Sequence, residues 1–506
     1  MSYVIFEYSK YDTLFIPKVK LIHDHFSYIY LDCVNIYCEN KKMEEKKSKV
    51  NERKHVLMVP YPSQGHINPM LNFSKRLSTK GVYVTIVTTI FISKSMHRLH
   101  SSTLPDSIKF DTISDGYDQG GFAQADSIAS YLSNMEAIGS KNLRELIQKY
   151  NFSEYPISGI VYDPFLPWAL DVGKEFGLVG AAFFTQMCAV NYIYYYVHHG
   201  LLKLPVSSIP ISIPGLPLLE LKDTPSFVDN PDFYPPYFDM VMNQFSNIYK
   251  ADFILVNSFY KLEEQVVSSM SKLLPLLTIG PTVPSFHLDK VSPNDRDNDI
   301  HLHRLDSSAS TWLNSKPEGS VVYVSFGSMV SLSKEQMEEL ALGLKGTGFN
   351  FLWVINVLER KKLSKELFDE ICEGEKGLVV NWIPQMEVLS NKAIGCFLTH
   401  CGWNSTIEAL SLGVPMVAMP QWTDQPMDAK FVEDVWKVGI RVKVNENNIV
   451  KGEEIVFCLR QVMEKDSGKQ LRINAKKWRD LAIEAVSEGG TSDNNINEFV
   501  KNVIRS

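Results

Sequence analysis

Apolar positions from His55 onward fall into short buried runs that alternate with amphipathic stretches. HVLMVPY (55–61) and VYVTIVTT (82–89) have the apolar, β-branched pattern of buried strands. Between them, Asn68 and Pro69 predict the start of a helix, MLNFSKRLSTKG, which Gly81 ends. Because a strand, a helix and a second strand follow one another so closely, we expect a βαβ unit and a parallel sheet.

The same alternation continues on both sides of a polar segment, 284–310, which has no periodic apolar pattern and predicts a linker. Strand patterns lie at 158–163, 179–184 and 253–258 before it, and at 320–326, 350–356, 377–382, 395–400 and 414–420 after it, with helices at 334–346 and 403–413. We therefore expect an α/β protein with two Rossmann-like, doubly wound domains. The carboxyl ends of both sheets would face one cleft, where such sheets bind ligands.

These patterns divide the chain into an extension at 1–54, a first domain at 55–283, the linker at 284–310 and a second domain that begins at 311. The extension mixes apolar clusters with charges and contains a second methionine, Met43. It has the pattern of neither a secretory signal nor a transit peptide. We expect it to lie outside the core, disordered or added by an upstream start codon; an anchor or interaction arm is the alternative.

Composition narrows the classes of function. Of 506 residues, 45% are hydrophobic and 22% charged, and the net charge of -7 is unfavourable for a nucleic-acid partner. No run of 18 apolar residues occurs, so we expect no membrane span. The seven cysteines form no C-x-x-C pair, which favours reduced thiols and a cytoplasmic location. We also expect a monomer.

The first candidate for chemistry is His66, in the junction YPSQGHINP directly after the first strand. A catalytic role and a structural role are about equally consistent with a histidine at this sheet edge. Asp163 ends the strand SGIVYD at the equivalent edge and could be its partner carboxylate. A turn residue before Pro164 is the alternative for Asp163.

Two junctions in the second half have features of an anion site. SFGSM (325–329) is a Gly/Ser turn after a strand, and it lacks both the dinucleotide fingerprint and the Walker pattern. It could contact a phosphate; an ordinary turn is the alternative. The strand GCFLTH ends at His400 and is followed by Gly402 and the helix WNSTIEAL. Asn404 and Ser405 would add donors at that helix start, where the dipole favours an anion, and Glu408 could accept from ribose hydroxyls. A diphosphate fits there without a metal, whereas His400 and Cys401 lack further ligands for a metal site.

The 44 residues from Trp382 to Gln425 resemble, in length and order, the signature box of plant UDP-sugar-dependent glycosyltransferases of family one. With YPSQGHINP and SFGSM, the resemblance covers about 55–506. It implies the GT-B arrangement of an acceptor-binding domain (55–283) and a UDP-sugar-binding domain (311–487), with a last helix (488–506) that returns to the first domain. YPSQGHINPMLNFSKRL resembles the subgroup that glucosylates small aromatic acids, thiohydroximates and terpenoids.

The resemblance also implies roles for site residues. His66 would be the general base and Asp163 its orienting partner; Trp382 would stack on uracil, and the Ile383 backbone would read the edge of that base. The ribose would be held by Gln385 and Glu408, the diphosphate by Ser328, His400, Asn404 and Ser405, and the sugar by Trp403, Asp424 and Gln425. Thr185 would touch sugar or phosphate.

The implied reaction is metal-independent glucosyl transfer from UDP-glucose, a co-substrate, to a small lipophilic phenol, alcohol or carboxylic acid, with no cofactor. Gln425 would favour glucose over galactose. The acceptor pocket would be built by loops near 115–122, 183–197 and 205–236. Two departures from the family stand out: Asn391 where the box commonly has histidine, and the residues before Met43. The alternative is an inactive nucleotide-sugar-binding protein that acts by interaction.

Overall fold

The structure is a computed structural model that describes residues 54–96, 104–291, 308–372 and 376–505. The predicted extension, apart from Lys54, and the greater part of the predicted linker lie outside the described residues. Among the described residues, all strand pairs are parallel, and the strands form two sheets. The predicted fold class, two doubly wound α/β domains, is confirmed.

The first sheet has seven strands in the order β3-β2-β1-β4-β5-β6-β7. Their bounds are β1 His55–Val59, β2 Tyr83–Thr89, β3 Ile108–Ile113, β4 Ile157–Tyr162, β5 Val179–Phe184, β6 Phe253–Val256 and β7 Leu276–Thr278. The strand order reverses between β1 and β4. At such a switch point a crevice opens at the carboxyl ends of the strands.

The second sheet has six strands in the order β10-β9-β8-β11-β12-β13. Their bounds are β8 Val321–Ser325, β9 Asn350–Val354, β10 Gly377–Val380, β11 Ile394–Thr399, β12 Met416–Ala418 and β13 Gly439–Arg441. Here the order reverses between β8 and β11, so this sheet has a switch point of its own.

Helices surround both sheets. In the described residues they are α1 Gln64–Thr79, α2 Ile90–Ser95, α3 Ile128–Asn151, α4 Pro167–Glu175, α5 Cys188–His198, α6 Ser226–Asp229, α7 Pro235–Asn243, α8 Glu264–Met270, α9 Ser308–Asn314, α10 Lys334–Thr347, α11 Val357–Arg360, α12 Lys365–Cys372, α13 Gln385–Leu389, α14 Trp403–Leu412, α15 Gln425–Lys430, α16 Gly452–Met463, α17 Asp466–Val486 and α18 Thr491–Arg505. None of them combines the length and hydropathy that a bilayer span requires.

Burial on both faces explains the apolar runs of the central strands. In β1, Leu57 and Val59 belong to one hydrophobic cluster, whereas Val56 and Met58 belong to another. Alternate residues of a strand point to opposite faces, so two clusters mean that helices cover both sides of the sheet. Each such fully buried side chain contributes about 1.5–3 kcal/mol to folding.

The two domains meet through hydrogen bonds as well as apolar packing. The indole of Trp403 donates to Asn257 O at 2.7 Å, and the indole of Trp436 donates to Leu262 O at 3.0 Å. Arg441 pairs with the buried carboxylate of Asp223 at 2.9 Å. Each bond joins the second domain to the first, so the width of the cleft is fixed at several separate points.

The final helix, α18, packs against the first sheet. Ser492 donates to Gly280 O at 2.6 Å, and Asn495 donates to Thr278 O at 2.9 Å. Phe499 is 1% exposed and contacts the rings of Phe73 and Phe253, with centroids 6.1 and 5.7 Å away. The carboxyl-terminal residues therefore complete the core of the amino-terminal domain.

We expect Phe499→Ala to lower the free energy of unfolding by about 3–5 kcal/mol, because it leaves a cavity in a packed core. Chemical denaturation of the wild type and the variant measures the difference. Phe152→Ala is the matched control, since Phe152 is 93% exposed. Equal stability of the two variants would contradict the docking of α18 on the first sheet.

Candidate active site

A cavity of about 380 Å³ opens between the two sheets, at the carboxyl ends of their strands. Residues from both domains line it. Apart from Asp163, all the predicted site residues are among them: His66, Thr185, Ser328, Trp382, Ile383, Gln385, His400, Trp403, Asn404, Ser405, Glu408, Asp424 and Gln425. The structure thus brings together side chains that are more than 300 residues apart in the sequence.

His66 and Asp163 form a pair at the switch point of the first sheet. Helix α1 begins at Gln64, earlier than the predicted start near Asn68, so His66 lies in its first turn. Asp163 follows β4 and is 1% exposed, and its Oδ2 is 2.5 Å from His66 Nδ1. When Nδ1 carries the proton and donates it to Asp163, Nε2 of the neutral ring is an acceptor.

Thr185 lies beside this pair. Its hydroxyl oxygen is 3.2 Å from His66 Nδ1, on the nitrogen that also contacts Asp163. The resemblance implied a contact of Thr185 with sugar or phosphate; the structure places the hydroxyl against the imidazole. Thr185 follows the carboxyl end of β5, the neighbour of β4, which explains its position.

The surroundings of His66 are aromatic. The ring centroids of Tyr61 and Phe165 lie 5.4 and 5.3 Å from that of His66. Burial raises the pKa of the Tyr61 phenol, which therefore stays neutral at physiological pH. The imidazole thus lies beside two aromatic rings, with Asp163 on its Nδ1 side.

His400 lies at the switch point of the second sheet, after β11. Its ring is held between two glycines: a Cβ at Gly402 would lie 2.6 Å from Nε2, and one at Gly327 would lie 2.9 Å from it. Burial lowers the pKa of His400 to about 4, so its imidazole is neutral at pH 7. Ser328 is exposed at the rim of the same pocket.

The start of α14 contacts the start of α1 across the cleft. Asn404 Nδ2 donates to Gly65 O at 2.6 Å. In a regular helix that carbonyl would accept from the residue four positions on, but this residue is Pro69, which has no N–H. The proline inside α1 thus leaves Gly65 O available to the other domain.

The region predicted for the nucleoside contains a network of polar side chains. Gln385 donates from Nε2 to Glu408 Oε2 at 2.7 Å and to Ser405 Oγ at 2.9 Å. Trp382 and Ile383 line the cavity just before α13 begins at Gln385. The carboxylate of Glu408 is therefore held in place beside the predicted ribose position.

The region predicted for the sugar lies at the start of α15. Asp424 is its N-cap and accepts from the Thr423 hydroxyl at 2.5 Å. The amide oxygen of Gln425 accepts from the backbone of Gln421 and Trp422, so its amide nitrogen is the atom available to a sugar. The indole N–H of Trp403 donates to Asn257 O, and its backbone N–H donates to the carboxylate of Asp424, so both N–H groups of Trp403 are engaged within the protein.

Comparison with known proteins decides the family. The family model for UDP-glucoronosyl and UDP-glucosyl transferase matches residues 72–476. The chain is 53% identical over 456 residues to the flavonol 7-O-beta-glucosyltransferase UGT74F1 of Arabidopsis thaliana. This alignment covers 89% of this chain and 98% of that protein. The chain is also 46% identical over 448 residues to mogroside I-E synthase of Siraitia grosvenorii. That alignment covers 88% of this chain and 97% of the synthase.

Solved structures agree. Os79 of O. sativa in complex with UDP superposes with a TM-score of 0.84 at 39% identity and covers 88% of this chain and 100% of that chain. This protein is a plant family-one UDP-glycosyltransferase. The resemblance seen in the signature box is confirmed, and so is the GT-B fold.

The glycosyltransferase has cavity residues that the sequence patterns did not single out. Phe227, Tyr237 and Trp422 form an aromatic wall, with Tyr237 and Trp422 centroids 5.9 Å apart. Of the loops predicted for the acceptor pocket, 183–197 and 205–236 contribute residues to the lining of this cavity, whereas 115–122 do not. Asp115 is instead buried, where it accepts from the hydroxyl of Tyr131.

We expect His400 to make the enzyme sensitive to acid. The unfolded chain protonates this histidine near pH 6.5 but the folded chain only near pH 4, so stability falls as pH drops between these values. In His400→Gln that contribution is absent. The free energy of unfolding of the wild type, relative to the variant, should fall by about 3 kcal/mol between pH 7 and pH 4. Urea denaturation measures the free energy of unfolding of both proteins at each pH. If the two values changed with pH in parallel, this would contradict the buried, neutral state of His400.

Proposed function

We propose that this enzyme transfers glucose from UDP-glucose to a hydroxyl or carboxyl group of a small lipophilic acceptor, with inversion at the anomeric carbon. The contact between His66 Nδ1 and Asp163 Oδ2, at the wall of a cavity shared by both domains, is the observation that carries the proposal. The names of similar proteins support the donor and the acceptor class. Os79 was solved with UDP, and with U2F and trichothecene, and UGT2 of Phytolacca americana with UDP-2fluoro-glucose and pterostilbene.

In the proposed step, the acceptor oxygen attacks the anomeric carbon while the bond from that carbon to the diphosphate oxygen breaks. His66 Nε2 takes the proton of a hydroxyl acceptor, and Asp163 stabilises the imidazolium that forms. An α-linked donor then gives a β-glucoside, and UDP leaves with the additional charge. Asp163, which is almost fully buried, is well suited to hold the ring in one orientation.

The leaving diphosphate would meet neutral donors. The first turn of α14 presents backbone N–H groups and the positive end of the helix dipole, and His400 is a neutral imidazole beside it. Among the described residues that line the cavity there is no lysine or arginine. We therefore propose that Ser328, Asn404, Ser405 and His400 share the task of holding the diphosphate.

The role of His66 can be tested with two acceptors. A phenol arrives protonated and needs a base, and loss of a general base costs about 10²–10⁴-fold in rate. A carboxylic acid has a pKa near 4, so it is ionised at pH 7 and needs no proton removed. We expect His66→Ala to lower kcat/KM much more for the phenol than for the carboxylate.

The measurement is kcat/KM for one phenol and one carboxylate, with the dissociation constant of UDP as a control for an intact donor site. Asp163→Asn should have the same acceptor dependence as His66→Ala, with a smaller loss on the phenol, because the base remains but loses its orienting charge. Equal losses on both acceptors would show that His66 positions groups and is not the base.

We also propose that the reaction needs no metal or other cofactor. The donors assigned to the diphosphate are amides, hydroxyls, helix-terminal N–H groups and an imidazole. Within the described ranges, no three His, Cys, Asp or Glu side chains are grouped as metal ligands. Glucosyl transfer should therefore proceed at an unchanged rate in EDTA. Loss of activity that Mg²⁺ or Mn²⁺ restores would refute the assignment.

A further inference from the structure

Helix α15 carries two carboxyl groups one turn apart. Asp424, at its N-cap, is 8% exposed and lines the cavity; Asp428 is 0% exposed. The backbone N–H of Asp428 donates to Asp424 O at 3.1 Å, so the two side chains lie on one face of the helix. Asp428 itself does not line the cavity.

The surroundings of Asp428 contain acids and neutral groups. The groups that act on it or lie near it are Asp424 on its own helix, Glu263 before α8, Tyr194 on α5 and Cys401 after β11. The carboxylate of Glu263 accepts hydrogen bonds from the backbone N–H groups of Cys188 and Ala189.

The basic side chains of this region are engaged elsewhere. Lys430 and Arg441 lie 3.4 and 2.9 Å from the carboxylate of Asp223. Lys430 also pairs with Asp434 at 2.6 Å. No positive group is thus directed at Asp428 among the residues that the structure describes.

An ionised Asp428 would be very unfavourable here. Neither of its carboxyl oxygens meets a donor from the described part of the protein, and burying an unpaired carboxylate costs several kcal/mol. Its neighbour Asp424 is close enough for a hydrogen bond between the two carboxyl groups. Two carboxyl groups can form such a bond only if one of them carries a proton.

The proton belongs on Asp428. Burial, followed by the charges of Asp424 and Glu263, raises the pKa of Asp428 well above its usual range. Burial raises the pKa of Asp424 as well, but Asp424 accepts hydrogen bonds from the Thr423 hydroxyl and the Trp403 backbone N–H, which favour its ionised form and which Asp428 lacks. The pair is thus one acid and one carboxylate.

We propose that Asp428 is a positioning residue that keeps its proton at neutral pH and donates it to the carboxylate of Asp424, which fixes that carboxylate toward the sugar. The sugar contact of Asp424 rests on the proposed function, whereas the protonation of Asp428 does not. Asp428 acts without touching the substrate.

The first test measures protonation through stability. The unfolded chain ionises Asp428 near pH 4, but the folded chain retains the proton, so stability falls as pH rises above 4. Asp428→Asn keeps an N–H donor and has no proton to lose. The Tm of this variant minus that of the wild type should therefore increase steadily from pH 5 to pH 8.

Asp369→Asn controls for the change in net charge, since it removes an exposed carboxylate from the same domain. A Tm difference for Asp428→Asn that is independent of pH, or that follows the Asp369→Asn control, would overturn the protonation of Asp428.

The second test measures positioning through binding, with the dissociation constants of UDP-glucose and UDP determined by calorimetry at pH 7 without acceptor. Asp428→Ala removes the donor and should weaken the binding of UDP-glucose by about tenfold while the binding of UDP is unaffected, because UDP has no glucosyl group for Asp424 to contact. Asp428→Asn should restore the ratio. A purely structural role would weaken both ligands equally, and that outcome, or an unchanged ratio, would overturn the positioning role.

A failure of the proposed function can be distinguished from a failure of the inference about Asp428. Wild-type protein that binds UDP but neither binds UDP-glucose nor releases UDP with any acceptor would refute the donor assignment, and with it the positioning role. The dependence of the Tm difference on pH would still decide whether Asp428 is protonated.

Discussion

The hydrogen bond from Asn404 Nδ2 to Gly65 O joins the two halves of the site. It connects the first turn of α14, where the diphosphate is proposed to bind, to the first turn of α1, which carries His66. The bond exists because Pro69 cannot donate to Gly65 O within α1. A local exception to helix geometry thus holds the proposed base and the proposed leaving-group site on opposite sides of one cavity.

Sheet topology makes this arrangement possible. His66 and Asp163 follow the two strands at the switch point of the first sheet, and Ser328 and His400 follow the two at the switch point of the second. Each pair is far apart in sequence but adjacent in space, because neighbouring parallel strands end at the same edge. The packing of the domains then needs only to bring two edges together, and the indoles of Trp403 and Trp436 contribute to that contact.

Much of the fold and of the candidate site could be predicted from the sequence. The central strands are buried on both faces and therefore have continuous apolar runs, and the candidate residues follow these strands directly.

Three strands were not predicted. β3 (IKFDTI) is a partly exposed edge strand with charges in it, and β7 and β13 have only three residues each. The start of α1 differs from the prediction because Pro69, a residue typical of helix beginnings, lies inside this helix. The contact of Thr185 with His66, and that of Trp403 with Asn257, depend on packing between distant segments, which no local pattern encodes.

The cleft also has little positive charge, and this determines how a diphosphate would be held. Burial keeps His400 neutral, Asp428 is proposed to be protonated, and the described residues that line the cavity include no lysine or arginine. A diphosphate would then be held by dipoles and hydrogen bonds that are fixed before it arrives, which requires no reorganisation as charge develops on the leaving group. Neutral donors also bind a dianion less tightly than cations would, so UDP could leave after transfer. Catalysis would then depend on the placement of Asn404, His400 and the start of α14 more than on their charge. That placement is what the contact between Asn404 and Gly65 maintains.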